Sequence, residues 1–260
     1  GDIIDRGPGQ KEVVDILKPM QENNKAIVLM GNHEFYAIAW YLKDNEGQPL
    51  RPHSDKNRAE HEAFLDQAQE GSQWYTDTID WLKTLPLFYQ TEQLRCVHAA
   101  WDNQHIKKLQ AYTDEQGVLK PELWSKLARL DRGFYQALDY SLNGSKLKLP
   151  EGSSFVDSGG RRRTKARLKW WDVPDTNATF RNSCTSVPDL TELPNTPIAL
   201  SLVPDIAGDT PIFFGHYWMQ GTPALMKEKI ACLDWSVVVN EGVLAAYRFD
   251  GEQVLSQNKL

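Results

Sequence analysis

Three apolar segments of this chain, and a fourth that we infer before Gly1, each lead into a polar residue of a type that binds metal ions. The segments 26–30, 94–97 and 211–214 are continuous apolar or strand-like runs, and we infer that a fourth strand precedes Gly1. The polar residues that follow them are Asp2, Asn32, His98 and His216. In open α/β sheets, ligands bind where strand ends meet at a shared edge. We therefore expect these four side chains to converge.

The chemistry of the four residues indicates a metal site. A lone histidine is more often a structural or surface residue than a ligand, because imidazole fills many roles. Four ligand-type residues at four strand ends, with glycine beside three of them, weaken that alternative. One carboxylate, one amide oxygen and two imidazoles suit Mn²⁺, Fe or Zn²⁺ better than Ca²⁺.

Composition excludes several classes of protein. The 260 residues are 41% hydrophobic and 25% charged, which is ordinary for a globular protein with a sizeable core. The net charge of -6 argues against a general nucleic-acid binder. No apolar run approaches the ~20 residues that cross a bilayer, so we expect no membrane partner. Three scattered cysteines form no disulfide framework, and we expect a cytoplasmic location.

The order of apolar patterns predicts an α/β fold. Helical spacing follows the first motif, with Val13, Ile16, Leu17 and Met20 on one face and Pro19 near its end. Further helices are predicted over about 35–42, 73–85 and 123–138, and strands over 26–30, 94–97, 211–214, 229–233, 237–239 and 243–249. Alternating strands and helices come first and consecutive strands later. This order predicts mixed sheets with helices outside.

Two long polar stretches interrupt this pattern. Residues 44–72 are polar, and we expect an irregular surface insertion there. Residues 141–195 are rich in Gly, Ser, Pro and Arg, and we expect a long excursion that carries function or flexibility. We expect one domain over 1–260 that contains both insertions.

A basic run lies inside the second insertion. Residues 161–169 carry six positive charges and are followed by Trp170 and Trp171. Such a run attracts phosphate-rich substrates and keeps nucleic acid open as a partner. Two hypotheses remain for the tryptophans: they stack on a base, or they attach a solvated loop to the body of the protein. We also predict that Arg167 is an additional phosphate contact.

The remaining histidines give no such signal. His53, His61 and His105 lie in polar surroundings, and we predict that all three are surface residues.

Four short motifs resemble a known family. Gly1 to Gly7 spell GDIIDRG, residues 31–34 spell GNHE, residues 97–100 spell VHAA, and residues 215–216 spell GH. Their order is similar to that of calcineurin-like metallophosphoesterases, in the branch of serine/threonine phosphoprotein phosphatases and bacterial diadenosine tetraphosphatases. The stretch WLKTLPL at 81–87 also resembles that branch.

The resemblance implies a fold and a reaction. The fold would be two mixed β-sheets in a sandwich flanked by helices, an αββα arrangement. The activity would be that of a dinuclear metal-dependent phosphatase or phosphohydrolase, in which metal-bound hydroxide attacks a phosphomonoester or phosphoanhydride. The cofactors would be two divalent ions, Mn²⁺ with Fe or Zn²⁺ as alternatives. The substrate would be a phosphorylated small molecule, a nucleotide or a phosphoprotein.

The resemblance also implies a role for each motif residue. Asp2 would bridge the two metals, and Asn32, His98 and His216 would complete the shell of one of them. His33, held by Asp5, would protonate the leaving oxygen. Arg6 would hold the phosphate oxygens, a task that suits the bidentate guanidinium better than lysine.

The chain departs from the family pattern at its start. The family's first motif, an Asp-x-His that ligates the other metal, is absent. We therefore expect the chain to lack its first strand, the natural protein to extend upstream by ~40 residues, and this fragment to be poorly active on its own.

Two other hypotheses remain open. In the first, the chain is a degenerate, non-catalytic relative that binds a partner. In the second, it is a phosphatase that processes nucleic-acid ends. The intact set of His33, Asp5 and Arg6 argues against the first. The second depends on the basic run alone and predicts strongly salt-dependent binding.

Overall fold

The computed structural model describes residues 1–157, 159–174, 176–239 and 241–260. The α-helices in these ranges are α1 (Gln10–Glu22), α2 (Asn32–Tyr41), α3 (Asp55–Ala68), α4 (Gln73–Leu82), α5 (Asn103–Gln110), α6 (Pro121–Trp124), α7 (Arg132–Asn143) and α8 (Phe180–Ser183). The strands are β1 (Phe88–Gln90), β2 (Arg95–Val97), β3 (Lys146–Lys148), β4 (Phe155–Val156), β5 (Arg162–Arg163), β6 (Lys165–Leu168), β7 (Cys184–Thr185), β8 (Ile212–Phe214), β9 (Ile230–Cys232), β10 (Asp234–Trp235) and β11 (Val243–Leu244).

A four-stranded mixed sheet forms the centre of the fold. Its order is β1-β2-β8-β9, with β1 and β2 antiparallel and the other two pairs parallel. Strand β8 is buried at every position, as expected for a strand covered on both faces. Because β2 and β8 are parallel neighbours, the residues that follow them emerge at the same edge of the sheet.

Smaller sheets and helices surround this sheet. Strands β3, β6 and β7 form an antiparallel three-stranded sheet, and β4 with β5 and β10 with β11 form two-stranded ones. The core includes the fully buried side chains of Trp40, Trp101 and Trp170. The predicted mixed α/β class is therefore confirmed. No helix in the part of the chain that the structure describes is both long and apolar enough to cross a membrane.

Several predicted elements differ from the structure. The segment 26–30 joins no sheet among the described residues. The Met30 N–H donates to the Pro86 carbonyl, and the Val28 N–H donates to the Gln21 side chain. Its apolar pattern predicted burial, and Val28 and Met30 are indeed buried. To form a β-strand, the segment would also need a neighbouring strand in register to share hydrogen bonds with, and an apolar pattern does not specify such a neighbour.

The helical predictions were right in position but not always in extent. Helix α1 runs past Pro19 to Glu22. The single helix expected over 123–138 is instead two helices, α6 and α7. The second follows its N-cap residue Asp131, whose side chain accepts a hydrogen bond from the Phe134 N–H.

Two strand predictions also differ from the structure. Residues 237–239 are not a strand, and the strand expected over 243–249 is limited to β11.

The stretch 44–72 is not irregular throughout. Residues 55–68 form helix α3, capped by Ser54. One face of α3 is buried, at His61, Phe64, Leu65 and Ala68. These positions have the i, i+3, i+4, i+7 spacing of an amphipathic helix, a pattern that the many charged residues around them concealed.

Candidate metal centre and active site

Four candidate ligands converge at the edge where β2 and β8 end. Nε2 of His98 lies 3.1 Å from Oδ1 of Asn32, 3.2 Å from Oδ1 of Asp2 and 3.3 Å from Nδ1 of His216. Nδ1 of His216 lies 4.0 Å from Oδ2 of Asp2. One donor atom from each of Asp2, His98 and His216 fits within 4.8 Å of the others. The structure thus brings together all four residues that the sequence predicted.

The fold explains this convergence. His98 directly follows β2, and His216 follows β8 after Gly215, whose N–H donates to the His98 carbonyl at 2.8 Å. Asn32 is the first residue of α2, so the N-terminus of that helix, with its free backbone N–H groups, lies at the cluster. Asp2 lies on the loop before α1.

Three residues of the site have strained backbones. Asp2, Asp5 and His216 adopt positive φ angles of 59°, 74° and 70°. Such conformations cost of order 1–3 kcal/mol each and persist where surrounding contacts enforce them. Asp and His tolerate this region better than most residues, which agrees with their presence here.

Glu34 connects the loop at Asp2 to the loop at Asn32. Its carboxylate accepts hydrogen bonds from the N–H groups of Asp2 (2.8 Å), Ile3 (2.8 Å) and Gly31 (2.7 Å). The side chain is fully buried. Gly31 is required here because a Cβ would lie 2.5 Å from both the backbone nitrogen and Oδ1 of Asp2. The two motifs are therefore one structural unit.

The electrostatics of the cluster suit a cation. Burial opposes ionisation of Asp2, but the charge and hydrogen bond of His98 hold its pKa well below the ordinary value. Burial lowers the pKa of His216, and the neighbouring His98 and Arg167 lower it further, so its ring is neutral. A neutral imidazole and an ionised carboxylate are the forms that bind metals. The atoms that converge are Nε2 of His98, Nδ1 of His216, Oδ1 of Asn32 and the carboxylate oxygens of Asp2. The converging lone pairs fit a divalent ion.

An imidazole and a carboxylate form a pair beside this cluster. Nδ1 of His33 lies 2.8 Å from Oδ2 of Asp5, and both side chains are buried. Burial is the largest single effect and disfavours both charged forms, but the hydrogen bonds and charges around the pair together outweigh it. The hydrogen bond to Asp5 and the charge of Asp2 raise the pKa of His33, and hydrogen bonds from His33 and His61 lower the pKa of Asp5. The pair favours a protonated ring.

Asp5 has a second histidine partner that sequence reasoning missed. Nδ1 of His61 lies 2.7 Å from Oδ1 of Asp5, and the His61 side chain is completely buried. The prediction that His61 is a surface residue was therefore wrong. His53 is exposed and stacks on Trp40, and His105 is half-buried against Tyr140.

Two arginines border the site. Nη2 of Arg6 lies 3.2 Å from Nε2 of His33, and its guanidinium carbon lies 5.2 Å from the centroid of the Trp218 ring. Arg167 is half-buried, and its Nη1 donates to the His216 carbonyl at 3.3 Å. Within the described ranges, neither arginine has a carboxylate within 4.0 Å. Both are available to bind an anion.

The basic run is more structured than its sequence suggested. Part of it forms β5 and β6, and Arg163 pairs with Asp157 at 2.6 Å. Trp170 and Trp171 are only 1% and 5% exposed, and Nε1 of Trp170 donates to the Ala99 carbonyl. They pack on Phe214. The hypothesis that they stack on a base is therefore wrong, and they attach this segment to the core.

A cavity of about 400 Å³ lies beside the donor cluster. Asp2, Arg6, His98, His216 and Trp218 contribute to its wall, together with apolar residues of β8 and of the following segments. A concave site with a few polar groups on a mainly apolar wall is typical of small-molecule binding.

Comparison with known proteins agrees with this geometry. Residues 1–176 match the sequence profile of the calcineurin-like phosphoesterases. The chain belongs to this family. It is also 27% identical to the symmetrical bis(5'-nucleosyl)-tetraphosphatase of Marinomonas sp. (strain MWYL1), over 98% of the chain and 84% of that relative. Membership confirms the resemblance seen in the motifs and supports metal-dependent hydrolysis of phosphoesters.

Proposed function

We propose that the protein is a dinuclear metal-dependent phosphohydrolase whose substrate is a nucleotide with a phosphoanhydride bond. The observation that carries the proposal is the position of His33 and Arg6. Both lie directly beside a cluster of four converging metal-ligand side chains.

Four residues would hold one of two divalent ions. They are Asp2, Asn32, His98 and His216, with Asp2 shared with the second ion. The mixed oxygen and nitrogen donors favour Mn²⁺, with Fe or Zn²⁺ as alternatives. When bound, such ions stabilise the charge of the phosphoryl group and lower the pKa of water.

His33 would act as the general acid. Its Nδ1–H donates to Asp5, so Nε2 is the ring atom directed toward Arg6 and the substrate side. A proton on Nε2 can pass to the leaving oxygen, and the hydrogen bond to Asp5 raises the pKa of His33 against the effect of burial and so favours the protonated ring. Asp5 orients the ring and stabilises its charged form.

Arg6 and Arg167 would bind the phosphate oxygens. Arg6 is exposed and adjacent to His33, and Arg167 extends from β6 toward His216. Guanidinium groups without carboxylate partners are well suited to contact phosphate in a bidentate manner.

Two observations favour a nucleotide as substrate. The relative from Marinomonas sp. is a bis(5'-nucleosyl)-tetraphosphatase. Trp218, beside Arg6 on the cavity wall, offers an aromatic face to a base next to the phosphate site. A phosphomonoester or a phosphoprotein remains the second candidate, because the same acid and arginines serve any phosphoester.

We also propose a cytoplasmic location. Cys96, Cys184 and Cys232 are free thiols, which agrees with a reducing compartment. Cell fractionation with an antibody against the protein tests this directly.

The test is a substrate screen on the full-length protein. After chelation, Mn²⁺ is added back, and dinucleoside polyphosphate, aryl phosphate, phosphopeptide and a phosphorylated oligonucleotide are compared. We expect hydrolysis only with the metal and the highest kcat/KM for the dinucleoside polyphosphate. Strong salt dependence with the oligonucleotide would instead favour the nucleic-acid hypothesis.

His33→Ala is the matched control in this screen. Where the leaving oxygen needs a proton, as the serine alkoxide of the phosphopeptide does, loss of a general acid lowers kcat by typically 10²–10⁴-fold. An unchanged kcat in this variant would refute the assigned role of His33. No hydrolysis of any substrate by the wild type would refute the proposed function itself.

A further inference from the structure

His61 occupies a position that neither the motifs nor the family resemblance indicates. It lies on α3, outside all four motifs, yet its Nδ1 is 2.7 Å from Oδ1 of Asp5. The other oxygen of Asp5 is bound to His33 at 2.8 Å. Asp5 is thus held between two buried imidazoles.

Helix α3 fixes both the backbone and the side chain of Asp5. The Asp5 N–H donates to Oε1 of Gln10 at 2.7 Å, and the Gln10 N–H in turn donates to Oε1 of Gln67 on α3 at 3.0 Å. His61 binds the carboxylate from the same helix, and its ring packs 5.1 Å from that of Phe64. The position of the carboxylate is therefore set by α3.

The environment of His61 argues against a role in stability alone. Its Nε2 is buried and has no hydrogen-bond partner among the residues that the structure describes. A buried polar atom without a partner destabilises the folded state. An apolar side chain would fill this space without that cost, so the value of the imidazole lies in its Nδ1–H.

We propose that His61 is a positioning residue for the general acid. By holding Oδ1 of Asp5, it stops the carboxylate from rotating and aims Oδ2 at His33. The His33 ring then keeps Nε2 directed at the leaving oxygen. This inference rests on the proposed role of His33 and adds a third member to the pair of His33 and Asp5.

Two variants separate the hydrogen bond from the volume of the ring. His61→Leu fills the space but removes the donor. His61→Asn retains an N–H donor at a position close to that of Nδ1. Circular dichroism and thermal unfolding establish that both variants fold.

The leaving group distinguishes positioning from a general structural defect. Phenyl phosphate releases a phenol with a pKa of about 10 and needs a proton, whereas p-nitrophenyl phosphate releases a far more acidic phenol that does not. In the full-length protein with Mn²⁺, we expect His61→Leu to lower kcat on phenyl phosphate about 10–100-fold. On p-nitrophenyl phosphate we expect a loss below about threefold, with KM unchanged for both. His61→Asn should restore most of the activity.

A second readout needs neither metal nor turnover. In the metal-free protein labelled with ¹⁵N, the Nδ1–H of His33 should give a protected imidazole signal because Asp5 accepts its proton. We expect His61→Leu to shift this signal or broaden it by faster exchange, and His61→Asn to preserve it.

The outcomes are distinct. Equal losses on both aryl phosphates, or an unchanged His33 signal in His61→Leu, would overturn the role of His61 while the proposed function stands. If the wild type hydrolyses none of the substrates in the screen described above, the proposed function fails, and the His33 signal alone then decides whether His61 positions the pair.

Discussion

At the scale of single residues, Asp5 connects the chemistry of the site to the fold. One of its oxygens binds His33, which lies beside Arg6, and the other binds the completely buried His61. Its pKa is lowered although burial opposes this, because the hydrogen bonds of both histidines favour the charged form. A group with a lowered pKa stabilises the folded state above its unfolded pKa.

This contribution of Asp5 should depend on pH. Its stabilisation is fully present above about pH 4, the unfolded pKa of aspartate, and is lost as the pH falls through the lower folded pKa. We expect Asp5→Asn to reduce the free energy of unfolding of the metal-free protein by about 1–3 kcal/mol at about pH 6. The difference from the wild type should shrink at about pH 3. Urea unfolding at both pH values measures it, and a difference that grows on acidification would contradict the assigned charge state.

At the scale of elements, the site depends on how two loops and two strands are joined. Parallel pairing of β2 and β8 places His98 and His216 side by side. Glu34, in the first turn of α2, binds three N–H groups of the two motif loops and so fixes Asp2 relative to Asn32. The carboxylate accepts on both oxygens, so an amide cannot replace it.

Glu34→Gln should therefore destabilise the protein. Its new NH₂ group would face backbone N–H donors and leave at least one of them buried without an acceptor. We expect a loss of about 1–3 kcal/mol in the free energy of unfolding and weaker metal binding. Glu12→Gln is the matched control, because Glu12 lies in the first turn of α1 but is exposed. Equal unfolding midpoints for the two variants would show that Glu34 does not join the loops.

At the scale of the whole molecule, local patterns predicted the site better than the fold around it. Asn32, His98 and His216 each follow a segment whose own sequence indicates burial, and the parallel pairing of β2 with β8 places His98 beside His216. The partner of Asp5 could not be found in this way, because His61 is 56 residues away on a mostly polar helix. The sequence feature that indicated burial of His61 was the helical spacing of His61, Phe64, Leu65 and Ala68, which form one face of α3.

Trp170 and Trp171 show the same limit of predicting contacts from local sequence. Trp170 and Trp171 follow a basic run, and sequence alone could not decide between a base-stacking surface and the core. That choice depends on which surface the segment meets, here Phe214 of β8. Similarly, the segment 26–30 has the composition of a strand, but whether it joins a ladder depends on its neighbours.

The most direct test of the account is the location of a bound metal. Crystals of the full-length protein, soaked in Mn²⁺ after chelation, would be measured for anomalous scattering from manganese. We predict a peak within bonding distance of Asn32, His98, His216 and the carboxylate of Asp2. A saturating Mn²⁺ soak with no peak at these four side chains would contradict the central claim that they form a metal centre.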